Sequence, residues 1–228
     1  MSTYYVDFNN NTEMTWTMGV YQVLPDSIGL ESVSWKQTTV PTQGSSGVEW
    51  EVDYNVAIAN YKQVGGVGVY KASQTLVTEL GSVWDCVFKD NVQQLVQSSG
   101  SAPADSIIIN NKSNQLGNLG IGMSGQGAVF KKNVVSGASA QFQVTPTYYA
   151  GLFNDLVLGE VISSNVSVGP QKIVFPDGQN CATVTASMSG ESIKMSVSYS
   201  QVSLVSRQVL DRLMSIQQER TGILLEHN

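Results

Sequence analysis

Apolar and polar residues alternate at every second position through most of the chain. Tyr4, Val6 and Phe8 share one face of an extended segment, and Trp16, Met18 and Val20 one face of the next. The longest run is Val48, Trp50, Val52, Tyr54, Val56 and Ile58, separated by Glu49, Glu51, Asp53 and Asn55. Six in-phase apolar positions predict one long strand with a solvated outer face. Near the end, Ala182, Val184, Ala186 and Met188 alternate up to Ser189-Gly190, and Ile193, Met195, Val197 and Tyr199 alternate away from it. That is the pattern of a hairpin whose glycine supplies the positive φ of a tight turn. A second turn, Pro176-Asp177-Gly178, separates Ile173, Val174 and Phe175 from the strand holding Cys181. Turn residues recur from Pro25-Asp26 through Gly65-Gly66 and Asn110-Asn111 to Gly169-Pro170. Many short strands at such spacing predict an all-β fold, an antiparallel β-sandwich of jelly-roll type. Helix is scarce. Asp90 is placed to cap a short helix through Val92, Leu95 and Val96 ending at Gly100, and the run Tyr148, Tyr149, Leu152, Phe153, Leu156 fits helix or strand. The sequence shows no internal repeat, and no linker long enough to split this body.

The C-terminal stretch follows a different pattern. Val205, Val209, Leu213 and Ile216 fall at helical spacing, Leu210 and Met214 widen the stripe, and Ser206 can cap its start. Gly222 stops the helix, and Ile223, Leu224 and Leu225 add an apolar hook. The three arginines, Arg207, Arg212 and Arg220, all lie here, whereas nine lysines carry the positive charge of the preceding residues. The chain therefore divides into a β-sandwich domain over residues 1–203 and a helical tail over 204–228. An amphipathic helix of about four turns is marginal alone in water, so its apolar stripe must be covered. It can lie across its own sheet or dock on a neighbouring copy. Docking is the preferred reading, with Val205, Val209, Leu210, Leu213, Met214, Ile216, Ile223, Leu224 and Leu225 as the contact residues.

Composition narrows the partners. Only 13% of residues are charged, against a usual share near 25%, so the surface is built from neutral polar groups and repels other molecules weakly. A net charge of −6 lacks the positive field that phosphates require, which argues against nucleic acid. No stretch is long and apolar enough for a membrane span, and the start reads as leaderless, predicting a cytoplasmic protein. Cys86 and Cys181 sit within strand patterns and read as buried thiols more readily than as a disulfide. Asn10-Asn11-Thr12, Asn111-Lys112-Ser113 and Asn165-Val166-Ser167 match the glycosylation acceptor pattern, which carries no meaning without export.

Catalytic chemistry finds few candidates. The one histidine, His227, is the penultimate residue, which removes mechanisms built on histidine as base. Two cysteines cannot complete a structural zinc site, and no cofactor or metal is expected. Gly120-Ile121-Gly122-Met123-Ser124-Gly125 spells the dinucleotide fingerprint. However, it precedes a strand-like Ala128-Val129-Phe130, and its glycines read as a β turn or a close sheet crossing. Glu49, Glu51 and Asp53 could pair as acids or hold calcium, but a solvated strand face is the simpler account. Among the aromatics, Trp16, Trp50 and Trp84 are in phase with apolar neighbours and read as core. Trp35, between Ser34 and Lys36, is less constrained. Adjacent Tyr148 and Tyr149 must face opposite ways when extended, so one should be exposed. Trp35, Tyr148 and Tyr149 are thus candidate ligand contacts.

Several blocks carry a family resemblance: Asp7-Phe8-Asn9-Asn10-Asn11, Thr15 to Gln22, Gly66-Val67-Gly68-Val69-Tyr70, Gly120 to Gly127, and Gly151-Leu152-Phe153-Asn154 followed by Leu158-Gly159-Glu160-Val161. They resemble the rhizosphere-expressed RhiA proteins of root-associated bacteria, over about residues 3–199 and without the tail. The resemblance implies an abundant bacterial protein controlled by cell density, and brings no catalytic residues with it. A weaker likeness, of fold alone, is to β-sandwich cytolysins and fungal-type lectins. The expectation is a non-enzymatic structural protein that self-associates as a homo-oligomer through its tail. A lectin-like module for glycans or host surfaces, and a membrane-active cytolysin-like protein, are the alternatives.

Overall fold

A computed structural model describes residues 3–163 and 165–201 of the 228-residue chain. These residues are all-β, with no helix among them. The first nine strands are β1 (Thr3–Asn11), β2 (Trp16–Val23), β3 (Glu31–Ser32), β4 (Lys36–Val40), β5 (Ser45–Glu51), β6 (Tyr54–Val64), β7 (Val67–Val77), β8 (Ser82–Lys89) and β9 (Val92–Ser101). The rest are β10 (Ser106–Asn111), β11 (Gly117–Met123), β12 (Gln126–Val134), β13 (Ser139–Gln143), β14 (Thr147–Phe153), β15 (Val168–Ile173), β16 (Cys181–Ser189) and β17 (Ser192–Ser200). They form four sheets, ordered β17-β16-β1-β5, β15-β14-β2-β4, β13-β10-β8-β9 and β3-β12-β11-β6-β7. Neighbours run antiparallel except for two parallel pairs, β1 with β16 and β8 with β10.

One apolar core runs through all four sheets, from Val6, Phe8 and Trp50 to Ile107, Ile109 and Phe142. A smaller one, around Val33, Ala57, Ala59, Tyr70 and Phe130, covers the far side of the five-stranded sheet. Apolar cover on both faces explains why β6 reads Asn55-Val56-Ala57-Ile58-Ala59 with every residue buried. The glycine-rich motif belongs to this second layer. A Cβ on Gly120 would come within 2.3 Å of the Phe130 ring, so the glycine leaves room for a ring that stacks on Tyr70 with centroids 4.6 Å apart. Ser124 and Gly125, both at positive φ, make the two-residue turn from β11 to β12. The fingerprint is a hairpin with an aromatic lying across it.

Two expected elements differ. The single strand over 48–58 is two, since the chain bends at Val52 and Asp53 and β5 and β6 enter different sheets. Asp53 holds the bend by accepting the Ser124 N–H on Oδ1 at 2.8 Å. The helix from Asp90 to Gly100 is the β8–β9 hairpin instead. Asp90 and Asn91 both take positive φ, at 53° and 64°, which Asx residues tolerate. Lys89 then pairs with Val92. Leu95 faces the core while Val92 and Val96 are exposed, and that alternation happens to mimic helical spacing. The ambiguous run Tyr148–Leu156 begins as β14. Cys86 and Cys181 are not bridged. Burial pushes the Cys86 thiol up, and Cys181 donates to Asp7 Oδ2 at 3.4 Å.

The Asn-x-Ser/Thr motifs at 10 and 111 are internal braces. Asn10 Nδ2 donates to the Met14, Val40 and Pro41 carbonyls at 2.7, 3.2 and 3.0 Å, while its Oδ1 accepts the Thr12 N–H and hydroxyl at 3.1 and 2.7 Å. Asn111 Nδ2 donates to the Gln115 and Val134 carbonyls, both at 2.7 Å, and its Oδ1 accepts the Ser113 N–H and hydroxyl at 3.0 and 2.6 Å. Both side chains are fully buried. The predicted tail helix, its hook and all nine proposed docking residues lie outside the described residues.

Candidate functional site

The alternation in β1 sends Tyr4 to the same face as Val6 and Phe8, and pairing with β5 sets it opposite Trp50. Those two rings stack with centroids 6.0 Å apart. Around them the start of β6 brings Tyr54, β14 brings Tyr148, and the segment after β15 brings Phe175. Together they line a recess of about 420 Å³ with Val52, Pro146 and Val174. Phe175 lies 4.7 Å from Tyr4 and 6.2 Å from Tyr148, centroid to centroid. Trp50, only 2% exposed, lies beneath, 5.2 Å from Tyr148 and 5.1 Å from Trp35. Such edge and offset contacts contribute about 0.5–1.5 kcal/mol each beyond area burial, so the cleft is walled by a connected aromatic cluster.

Its electrostatics are plain. Burial pushes the Tyr54 and Tyr148 phenols above their ordinary range, so both stay neutral at physiological pH. The Trp50 indole N–H beside Tyr148 offsets part of that shift, but it meets no acceptor in hydrogen-bonding geometry. The Tyr148 hydroxyl donates instead to Met123 Sδ at 3.8 Å. Lys172 is the one charged residue of the lining, and its pairing with Tyr149 sets its side chain on the face away from Tyr148. The cleft can cover an apolar or flat-faced group, and its lining holds no histidine, cysteine or carboxylate. Among the described residues no three His, Cys, Asp or Glu side chains converge as a metal site. Glu49 and Glu51 stay on β5 while Asp53 turns away to hold the bend.

The candidate contacts separate. Tyr148 and Tyr149 do face opposite ways: Tyr148 lines the cleft, and Tyr149 stacks on Tyr21 behind it at 5.6 Å. Both are half-buried. Burial, with the neighbouring Tyr149 second, pushes the Tyr21 phenol up to about 12. Trp35 is not a surface residue. It has no exposed area, and its indole N–H donates to the Met123 carbonyl at 3.3 Å. The cause lies in its neighbour: the Ser34 N–H donates to the Glu160 carbonyl at 2.7 Å, and the Ser34 carbonyl accepts the Gly159 N–H at 2.9 Å. That clamp fixes the backbone beside the tryptophan, whose ring packs into the main core 5.1 Å from Trp50 and 6.3 Å from Tyr148. Sequence reasoning missed Tyr4, Tyr54 and Phe175. Tyr4 and Tyr54 are in phase with core residues and read as core, whereas Phe175 carried a signal, an aromatic placed directly before a Pro-Asp-Gly turn.

The RhiA family model matches residues 1–198. The chain belongs to the RhiA family. No curated protein and no solved structure matches it. Every residue lining the cleft falls within the RhiA match, and the apolar tail falls beyond it.

Proposed function

We propose that this RhiA-family protein is a non-enzymatic, self-associating β-sandwich protein in which the C-terminal segment of one copy docks in the aromatic cleft of a neighbour. The observation that carries the reading is the chemistry of the cleft: four rings and three aliphatic side chains beside Pro146, with Thr147 and Lys172 the other polar residues of the lining. Branched aliphatic side chains suit such a lining, and Ile223, Leu224 and Leu225 are such a group. Each one fully buried contributes about 1.5–3 kcal/mol. Placement brings the tail to a cleft of this kind. β17 ends beside the cleft, where the Tyr199 hydroxyl accepts the Val174 N–H at 2.9 Å and its ring lies 6.2 Å from Phe175. Residues 202–228 continue from that point. A reciprocal exchange between two copies would cover both tails in one closed, two-fold assembly, and the low surface charge offers little repulsion against it.

Binding of a tail peptide tests this directly. A peptide of residues 204–228, titrated into the chain ending at Ser203, should change tryptophan fluorescence saturably, since Trp50 underlies the cleft. The response should weaken at least about tenfold with Phe175→Ala, the loss of roughly 1.4 kcal/mol of contact. No saturable response into the millimolar range would overturn the proposal. The glycan reading keeps one supporting observation, the half-exposed faces of Tyr4 and Tyr148, on which a sugar could stack. Binding of the shortened chain on a glycan array, abolished by Tyr148→Ala, would favour it instead.

A further inference from the structure

The turn from β1 to β2 and the turn from β10 to β11 are one device used twice. In each, a fully buried asparagine braces the turn, its Oδ1 taking the N–H and hydroxyl of the residue two places on. Its Nδ2 reaches a carbonyl in the turn and one at the end of a neighbouring strand, Val40 of β4 or Val134 of β12, and that of Asn10 also reaches the Pro41 carbonyl at 3.0 Å. The correspondence extends along the chain. β1 lies between parallel β16 and antiparallel β5, and β10 between parallel β8 and antiparallel β13. β2 is flanked by β14 and β4, and β11 by β6 and β12. The hairpins β6–β7 and β8–β9 answer to β14–β15 and β16–β17 in the same order. β3 alone has no counterpart. It belongs to residues 24–35, which join β2 to β4 where the second set has only the Ser124-Gly125 turn.

Register agrees with topology. Val20 faces Ala150 where Ile121 faces Val56, and two residues on, Gln22 faces Tyr148 where Met123 faces Tyr54. Tyr54 and Tyr148 are therefore equivalent positions. The last hairpin of each set turns on two residues at the same place, Asp90-Asn91 between Lys89 and Val92, and Gly190-Glu191 between Ser189 and Ser192.

The two sets do not fold separately. β1, β2, β4 and β5 take their cross-set partners from β14–β17, and β10–β13 take theirs from β6–β9. The chain passes between the two sheet systems at residues 52–53 and 144–146. Both passages meet at the aromatic cleft, where Val52 and Tyr54 stand with Pro146 and Tyr148. We infer that the body is a tandem duplication of one eight-stranded unit whose copies have exchanged their second four strands, so that each half of the chain is the binding partner of the other. The unit is β1, β2 and β4–β9 in the first half and β10–β17 in the second.

Opening the chain between the units tests this. A protease site placed in the loop at residues 102–105 of the full chain is cleaved under native conditions. The two fragments should stay at the parent's mass in size-exclusion chromatography on dilution to nanomolar concentration, and after separation in denaturant should regain the parent's cooperative unfolding only when mixed one to one. Fragments that part without denaturant, or that each refold alone with a parent-like transition, would overturn the inference. Should the inserted site disturb folding, the halves 1–103 and 104–228 produced together as separate chains give the same test. Capture of one half through a tag should retain the other in equal amount, and capture of the tagged half alone would contradict the exchange.

Discussion

Asn10 and Asn111 are the residues on which the body's two equivalent turns depend, because each buried side chain satisfies an N–H, a hydroxyl and at least two carbonyls, one of them, Val40 or Val134, in a buried bond. Removing such a side chain leaves buried groups unpaired, at about 1–3 kcal/mol for each one that water cannot reach. Asn10→Ala and Asn111→Ala are each expected to cost about 3 kcal/mol in urea unfolding, by similar amounts; a loss below about 1 kcal/mol at either site would contradict the brace. A second residue-level effect depends on pH. Partial burial alone would raise the Asp85 carboxyl, but hydrogen bonds from Lys112 at 2.7 Å and Asn110 at 3.0 Å prevail and hold it below its ordinary value. A carboxyl depressed on folding adds stability above its unfolded pKa and loses it as the pH falls through the folded value. Asp85→Asn should therefore lower Tm near neutrality, and the gap from the parent should close as the pH is taken down through about 4 and below. Lys112 is 57% exposed, which limits the effect to about 1 kcal/mol. Single residues were the least legible scale in the sequence. Asn10 and Asn111 matched a glycosylation pattern whose letters say nothing about burial, and Trp35 carries polar neighbours although its ring is covered by Trp50, Met123 and Tyr148, which come from other strands.

Elements were more legible, because strand alternation is a local record of which face meets the core. The hairpin at Ser189-Gly190 and the strands through Tyr4–Phe8 and Trp16–Val20 follow directly from it. Alternation fails where the chain leaves one sheet and enters another without changing phase, as at Val52 and Asp53, and where two positive-φ Asx residues turn the chain inside a run of helical spacing, as at Asp90 and Asn91. The glycine motif could be read as a turn or a close sheet crossing, and it is the turn, with the Phe130 ring of the paired strand laid over Gly120. At Gly120 the added methyl of alanine would lie 2.3 Å from the Phe130 ring and 2.7 Å from the Val129 carbonyl. Gly120→Ala should then destabilise the protein by about 3 kcal/mol through overpacking. Phe130→Leu in the same chain should recover part of that loss by withdrawing the ring, as thermal unfolding of the single and double variants would show. An additive pair would contradict the packing described.

At the scale of the whole molecule, the all-β class and the RhiA membership were legible, the latter because its blocks are long. The duplication was not. Equivalent positions such as Val20 and Ile121 or Gly19 and Gly120 share character at scattered sites only, residues 24–35 break the spacing, and the exchange puts each strand's partners in the other half. The cleft was half legible: Tyr148 was singled out, but the rings facing it arrive from three other segments. The proposal that a neighbour's tail fills this cleft makes self-association the property on which the account stands. Its most direct measurement is native mass by light scattering at two concentrations, for the full chain and for the chain ending at Ser203. The account predicts an oligomer of the full chain that persists on dilution and a monomer after truncation. A monomeric full chain, or an oligomer whose mass is unchanged by removing the tail, would contradict it.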